Sequence, residues 1–520
     1  MEGEKKFECV LLSQYNLYLK ENRKCFIWIA IKEKFYSSNI IEKAKLIIKI
    51  FFELFGIHFS LNLELFEKDK KIAQSIQDMG TYISLKEEYE SKKKVVLKIE
   101  EQKNKRKIDQ NSRSLINLKL EHIIRETIEK KNTYIALMVE NLDIGGLEEV
   151  VKLLALELKK RNLNLKVFCT YRGGKVAEEL KREGIDIIVF KRKKNKFESY
   201  IKENPPLVIN SHYVIDFMEI IEKYNIPLVE TIHNMYVFLP SKRIEKEQRK
   251  SKIVTEYIAV SDAAAKVFNN KIRYIEDKHM NIIGNTGKEF NTVMIEREMG
   301  RKYYNLPKDA FVFLVVGTID ARKNQIGIVR AWNIFSKIVE KDVALVFAGT
   351  CKKDNYEEQI RRFIEEWNLE NIYILDYCDK VTELMEIADA LIINSYYEGW
   401  SMAATEALYS GLPLIHSDCG SGAELIAGGR NGVLISNPLK DIDKYTVDEL
   451  WNKMKIGESD NIYELVRAML ILLDDYEKNA KEKKYKREKI RNYAKEKFSV
   501  NKMINDYLWV YCKACKIENN

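Results

Sequence analysis

Two glutamates eight positions apart, Glu398 and Glu406, sit where an apolar run gives way to a turn and then to a helix. The run 390–393 reads as a buried strand. Ser401 is a helix cap, Gly411 a stop, and Pro413 bars continuation, so a helix of about three turns is expected between them. The free N–H groups and positive dipole at such a helix start attract phosphate. Carboxylates at Glu398 and Glu406 could accept hydrogen bonds from the hydroxyls of a sugar. A pair of cations, Arg322 and Lys323, follows Gly317 at the end of the apolar run 311–316. Earlier, Gly145-Gly146 precedes a helix and would let backbone approach a ligand closely, while His212 and His233 end two further apolar runs. Taken singly, each has a plainer explanation: a tight turn for the glycines, a surface charge for each Glu, an inert lysine, and a structural hydrogen bond for His233.

These groups need elements to hold them, and the chain divides by texture. Residues 1–130 contain three Gly and no Pro, whereas all seven Pro lie at or beyond 205. Most of the formal net charge of +9 falls in that first quarter. Its Lys/Glu-rich segments, such as 87–107, and the spacing of Ile41, Ala44, Ile47, Ile48 and Phe51 predict a mainly helical charged extension without a coiled-coil heptad. From about Thr133, short apolar runs alternate with amphipathic helices. Strands are predicted at 134–139, 166–169, 185–190, 207–209, 227–231 and 257–260, then at 311–316, 344–347, 372–375, 390–393, 413–416 and 433–435. The clearest helix, 147–160, puts Leu147, Val150, Val151, Leu154 and Leu158 on one face. The rhythm predicts an α/β chain with two doubly wound units, 131–295 and 296–497, joined by a linker near 291–308. A ligand is expected in the cleft between the carboxyl edges of their sheets.

Composition narrows the class. With 46% apolar, 11% aromatic and 32% charged residues, the 520-residue chain is too rich in core-forming side chains for disorder. The longest apolar stretch, 46–59, is broken by Lys49, Glu53 and His58 and falls short of the ~18 residues a spanning helix needs. The amino terminus lacks the order of a signal peptide. A cytoplasmic location with reduced thiols is therefore expected, and the pair Cys512 and Cys515 alone cannot complete a zinc site. No Gly-x4-Gly-Lys-Ser/Thr run marks a nucleotide triphosphatase, and the basic residues of the extension are not interleaved with aromatics as in a nucleic-acid groove, so no nucleic-acid partner is expected. Asp441-Ile442-Asp443 lacks a preceding buried strand and reads as surface rather than as a metal motif.

The stretch from Ala388 to Ala407 resembles the hallmark of the retaining GT-B glycosyltransferases of family 4, a Glu-x7-Glu pattern that Glu398 and Glu406 match at both ends. Gly411-Leu412-Pro413-Leu414-Ile415 resembles the strand that follows it, Ser417-Asp418-Cys419-Gly420-Ser421-Gly422-Ala423-Glu424 the loop beyond, and Asn431-Gly432 a later turn. Upstream, 315–324 is similar to the Val-Gly-Arg-Leu-x3-Lys-Gly segment. Residues 143–148 resemble the Gly-Gly-x-Glu loop, and 206–212 and 231–234 resemble two histidine-bearing strand ends. Residues 259–261 and 282–287 match shorter pieces.

The resemblance covers about 134–510 and implies a GT-B fold, two Rossmann-like domains facing a cleft. The second would hold a nucleotide-diphosphate sugar, the first would present an acceptor, and a last helix, 498–515, would return to the first domain. It implies a glycosyltransferase that retains the anomeric configuration and needs no cofactor or metal. By the same resemblance Glu398 lies beside the transferred sugar, Glu406 on the ribose hydroxyls, Lys323 on the diphosphate and His212 near the donor sugar. Gly145, Gly146, Gly317, Arg322 and Gly399 join them as donor-binding. Two departures appear: Thr318 stands where the family has Arg, leaving Arg322 to supply a second cation, and Thr286 replaces a Gly. A glycan or lipid-linked glycan of the cell envelope is the common family acceptor. Two alternatives stay open, a sugar-nucleotide epimerase or phosphorylase on the same fold and a non-catalytic paralogue partnering another glycosyltransferase. Residues 1–130 could dock peripherally on the inner membrane face through the amphipathic region 43–59, make a homo-oligomer contact, or brace the first domain.

Overall fold

The computed structural model describes residues 110–143, 145–272, 280–286, 296–351, 355–375, 380–478 and 483–517. The charged stretch 87–107 and the amphipathic region 43–59 lie outside the described residues. Both sheets belong to one compact unit. The first lobe carries β1 Ile135–Asn141, β2 Leu165–Arg172, β3 Asp186–Val189, β4 Val208–His212, β5 Leu228–Ile232, β6 Glu256–Ala259 and β7 Met280–Ile282, all parallel, in the order β3-β2-β1-β4-β5-β6-β7. The second carries β8 Phe311–Val316, β9 Val343–Ala348, β10 Ile372–Leu375, β11 Ala390–Ile393, β12 Leu414–Ser417 and β13 Gly432–Ile435, again all parallel, ordered β10-β9-β8-β11-β12-β13. The expected pair of Rossmann-like units is what the chain forms.

The strands are apolar on both faces because helices cover both faces of a parallel sheet; every residue of Val343–Ala348 and Ala390–Ile393 is buried. Strand order reverses between β1 and β4 and between β8 and β11, the switch points at whose carboxyl ends open α/β sheets bind their ligands. Each predicted strand appears with its ends in place or moved by at most three residues. β7 is a strand the sequence reading missed: three half-exposed residues, Met-Asn-Ile, give no periodicity to read. A helix, Arg297–Tyr303, occupies part of the stretch read as a linker, because Arg301 is buried in the second lobe rather than facing water.

The described end of the extension is a helix, Gln110–Lys131, whose Leu120, Ile124 and Ile128 enter the same apolar core as Met503, Ile504 and Tyr507 of the last helix, Val500–Ala514. That last helix is tied to the first lobe by Tyr511 donating to Asn210 (2.8 Å) and Lys513 to Glu256 (2.9 Å). No helix among the described residues is long and apolar enough to cross a membrane.

Candidate active site

At the second switch point two short connections bring opposite charges together. β8 ends at Gly317, whose φ of +138° belongs to a region that favours glycine. The chain then tightens into a 3₁₀ turn, Ala321–Lys323, capped by Asp320, whose carboxylate accepts the Lys323 N–H at 3.2 Å. β11 is followed by Asn394 and Ser395, and three residues beyond Ser395 Glu398 is buried. Its Oε1 accepts hydrogen bonds from the Lys323 ammonium and, at 2.8 Å, from the Ser395 hydroxyl. Its Oε2 accepts one from the Arg322 guanidinium at 3.1 Å. The Arg absent at Thr318 thus has a neighbour, since Arg322 and Lys323 grip the two oxygens of one carboxylate.

Burial would raise the pKa of Glu398, but the facing Lys323 and Arg322 charges and their hydrogen bonds overcome it and hold the carboxyl down to about 2. A group whose folded pKa is depressed contributes stability that is present above the unfolded value and is lost as pH falls through the folded one. The window here runs from the ordinary carboxyl value of 4.5 down to about 2. Urea titrations between pH 6 and pH 3 are therefore expected to show the wild type losing more stability than Glu398→Gln. Parallel curves for the two proteins would mean that the triad contributes nothing.

In the first lobe His212 ends β4 and His233 follows β5, and β4 and β5 pair directly. The His212 Nδ1 and His233 Nε2 atoms lie 2.7 Å apart, and the two rings are stacked. Burial, then the neighbouring His233 and Lys250, lower the His212 pKa; burial alone lowers that of His233 to about 3. Both rings are neutral at pH 7, so one proton is shared between them and each ring dictates the other's tautomer. The buried His212 Nε2 makes no hydrogen bond with protein.

The two half-sites meet. A Cβ on Gly399 would collide with the His233 carbonyl, so only glycine lets this turn press on the first lobe. Ser261 donates to the Gly399 carbonyl at 3.1 Å, and the Asp262 N–H donates to Glu424 at 2.8 Å. Thr286, the second departure from the family pattern, holds its hydroxyl 2.9 Å from that of Tyr409 in the second lobe. Gly145 caps the helix Gly146–Lys160, and a Cβ there would strike Glu148, whereas a Cβ on Gly146 would meet open space. Packing therefore does not require glycine at 146, and the space it leaves is open to a ligand.

Glu406 is half-buried on the second turn of the helix Met402–Tyr409, which Ser401 caps by accepting the Ala404 N–H. The helix has eight residues, about two turns rather than three, because Gly411 turns left-handed (φ +76°) against Arg487. Asp441, read as surface, is exposed and pairs with Lys444 at 2.6 Å. The sequence reading missed Ser395, Asp320 and His416. Asp320 could have been found, since Asp three residues before a lysine at a strand end is a capping signal. His416 is buried with Nδ1 2.7 Å from the Ser417 carbonyl, and nothing in its local sequence marks it.

Residues 296–455 match the family model of Glycosyl transferases group 1, and residues 144–285 that of Glycosyltransferase Family 4. A 125-residue stretch is 28% identical to the Uncharacterized glycosyltransferase MJ1059 of Methanocaldococcus jannaschii, covering 24% of this chain and 29% of that protein, so the match spans under a third of that relative. The D-inositol 3-phosphate glycosyltransferase of Paenarthrobacter aurescens is 21% identical over 349 residues, 56% of this chain and 81% of that protein. The crystal structure of Anabaena Alr3699/HepE in complex with UDP shares the fold, with a TM-score of 0.59 at 15% identity over 73% of this chain and 99% of that one. Two adjoining matches to glycosyltransferase family models, one on each lobe, liken the chain to glycosyltransferases, and it shares the two-lobed fold of Alr3699/HepE.

Proposed function

We propose that the chain transfers a sugar from a nucleoside-diphosphate sugar to an acceptor hydroxyl with retention of anomeric configuration. The observation that carries this reading is the convergence of Lys323 and Arg322 on buried Glu398 at the carboxyl edge of the second sheet. In the reaction the bond between the anomeric carbon and the diphosphate oxygen breaks, a bond from that carbon to the acceptor oxygen forms, and the acceptor proton passes to the departing diphosphate. Lys323 and Arg322 neutralise the charge gathering on that leaving group, the task a metal performs in other architectures. Glu398 lies beside the transferred sugar, Glu406 takes the ribose hydroxyls, and His212 faces the sugar from the first lobe. The open backbone at Gly145 and Gly146 and the turns at Gly317 and Gly399 border the donor. The acceptor, a glycan or lipid-linked glycan, comes from the first-lobe side, and the closed lobes exclude water that would hydrolyse the donor.

The experiment is a calorimetric panel of UDP, GDP, ADP, CMP and dTDP, with UDP the first choice because Alr3699/HepE was crystallised with it. Selective binding of one nucleotide is expected. Glu406→Ala should weaken it about ten-fold or more, the worth of charged hydrogen bonds to two hydroxyls. A folded wild-type protein that binds none of the five ends this reading.

A further inference from the structure

β2 and β3 finish the first sheet on the side away from β5 and β6, and their carboxyl ends carry cations: Arg172, Lys175, Lys191, Arg192 and Lys193. All five are exposed. The loop that bears them is fixed rather than frayed. Lys191 and Arg192 are consecutive non-glycine residues in left-handed backbone (φ 54° and 55°), a conformation side chains adopt reluctantly. Arg192 N–H donates to the Thr170 carbonyl at 2.6 Å and Lys193 N–H to the Phe190 carbonyl at 3.0 Å. Arg192 also lies over the exposed Tyr171 ring, 4.6 Å from its centroid.

Three consecutive cations held at a strained turn repel one another, and the nearby acids answer only part of that charge. Arg172 pairs with Asp143 at 3.2 Å, and Arg192 with Glu140 and Asp216. Among the described residues neither Lys191 nor Lys193 has an ion-pair partner. An arrangement of like charges without its full counter-charge attracts anions.

Its position says which anion. The rim and His212 share the carboxyl edge of one sheet, three strand steps apart, which is about 14 Å at ~4.8 Å per step. Asp216 links them, bonding Thr170 at 2.7 Å and Arg192 at 3.5 Å from the loop that follows His212. The lobes touch on the other side of His212, at His233, Ser261 and Asp262. The rim therefore lies on the open side of the cleft, one short molecule's length from the reacting centre.

We propose that the rim formed by Arg172, Lys175, Lys191, Arg192 and Lys193 binds a phosphate of the acceptor, so that the acceptor is a phosphodiester- or diphosphate-bearing molecule. The word acceptor rests on the glycosyl-transfer reading; phosphate binding at the rim does not. Guanidinium and ammonium groups together suit a phosphate, the former by paired hydrogen bonds and the latter as point charges.

The test uses the full chain with UDP saturating, which keeps the donor site from capturing the probe. Two soluble probes, a synthetic glycerol-phosphate trimer and farnesyl diphosphate below its micellar concentration, separate a polymer phosphate from a lipid-linked one. Phosphatidylglycerol vesicles provide a third arm. Wild type is expected to bind at least one soluble probe, more weakly as salt rises, and Lys191→Gln/Lys193→Gln to bind it at least ten-fold less. A control that removes two exposed charges elsewhere, Lys130→Gln/Lys131→Gln, should match wild type. The proposal is overturned if neither soluble probe binds, if the control loses as much as the rim variant, or if the rim variant changes vesicle sedimentation alone. Failure to bind UDP would strike the donor reading instead, and rim binding would then be read without nucleotide.

Discussion

Lys323→Ala is expected to lower kcat/KM for sugar transfer by roughly 10²–10³-fold, the usual cost of removing one preorganised group aimed at developing charge, and to weaken binding of the free nucleoside diphosphate. Glu398→Gln is expected to lose transfer as severely yet bind the diphosphate at least as tightly as wild type. The contrast follows from the geometry. Without donor, Glu398 is the counter-charge of both Lys323 and Arg322. A diphosphate must compete with that carboxylate for the two cations. Removing a cation weakens the competitor's gain, whereas removing the carboxylate leaves two partly buried cations without an anion, a costly condition that an incoming diphosphate relieves. Calorimetry with UDP and initial-rate kinetics on the three proteins decide the matter. Equal loss of nucleotide affinity in both variants would show that Glu398 and Lys323 act as one structural unit, with no exchange of partners.

How far this site could be read from the amino-acid order depends on which interactions are local. Gly317, Arg322 and Lys323 lie close together after a strand, and Glu398, Ser401 and Glu406 lie on one turn and helix, so each half is local in sequence; the second shows in its strand–turn–helix spacing, the first only through its resemblance to a family segment. The sheets were legible for the same reason: buried parallel strands are unbroken apolar runs. What spacing does not carry is the joining of the halves. That Arg322 bonds a carboxylate 76 residues away, that His233 bonds His212, and that Gly399 rests on the His233 carbonyl are consequences of strand order and lobe closure. Pairing β8 with β11 and β4 with β5 decides them. His416 and Ser395 stayed hidden because each acts through burial beside Glu398, and burial of one polar residue in an apolar strand end leaves no periodic trace. Thr286 read as a departure from a pattern, and the structure supplies the reason: its hydroxyl meets Tyr409 across the lobes.

The same pairing of β8 with β11 is pinned at its opposite end by one carboxylate, and Asp389→Asn should be among the most destabilising single changes in the second lobe. Asp389 has no exposed side-chain surface. It accepts from Arg297 at 2.6 and 2.7 Å, from Arg301 at 2.8 Å, and from the Val312 N–H of β8 at 3.0 Å. Arg301 is equally buried and spends its other donors on the carbonyls of Pro307, Lys308, Ala310 and Ile387. Neutralising Asp389 leaves that guanidinium buried without an anion, which costs about 3–5 kcal/mol. Adding Arg301→Met removes the stranded charge but orphans four carbonyls, so the double variant should recover only part of the loss. Native-state hydrogen exchange at the β8 and β11 amides measures this locally, free of any unfolding of the first lobe. Loss of protection below about 1 kcal/mol would mean the carboxylate is energetically idle. Because Lys323 and Glu398 stand at the far ends of those two strands, the loosened pair should also hold its cations and carboxylate less closely. UDP affinity is therefore expected to fall in Asp389→Asn even though this residue touches no part of the cleft-side triad.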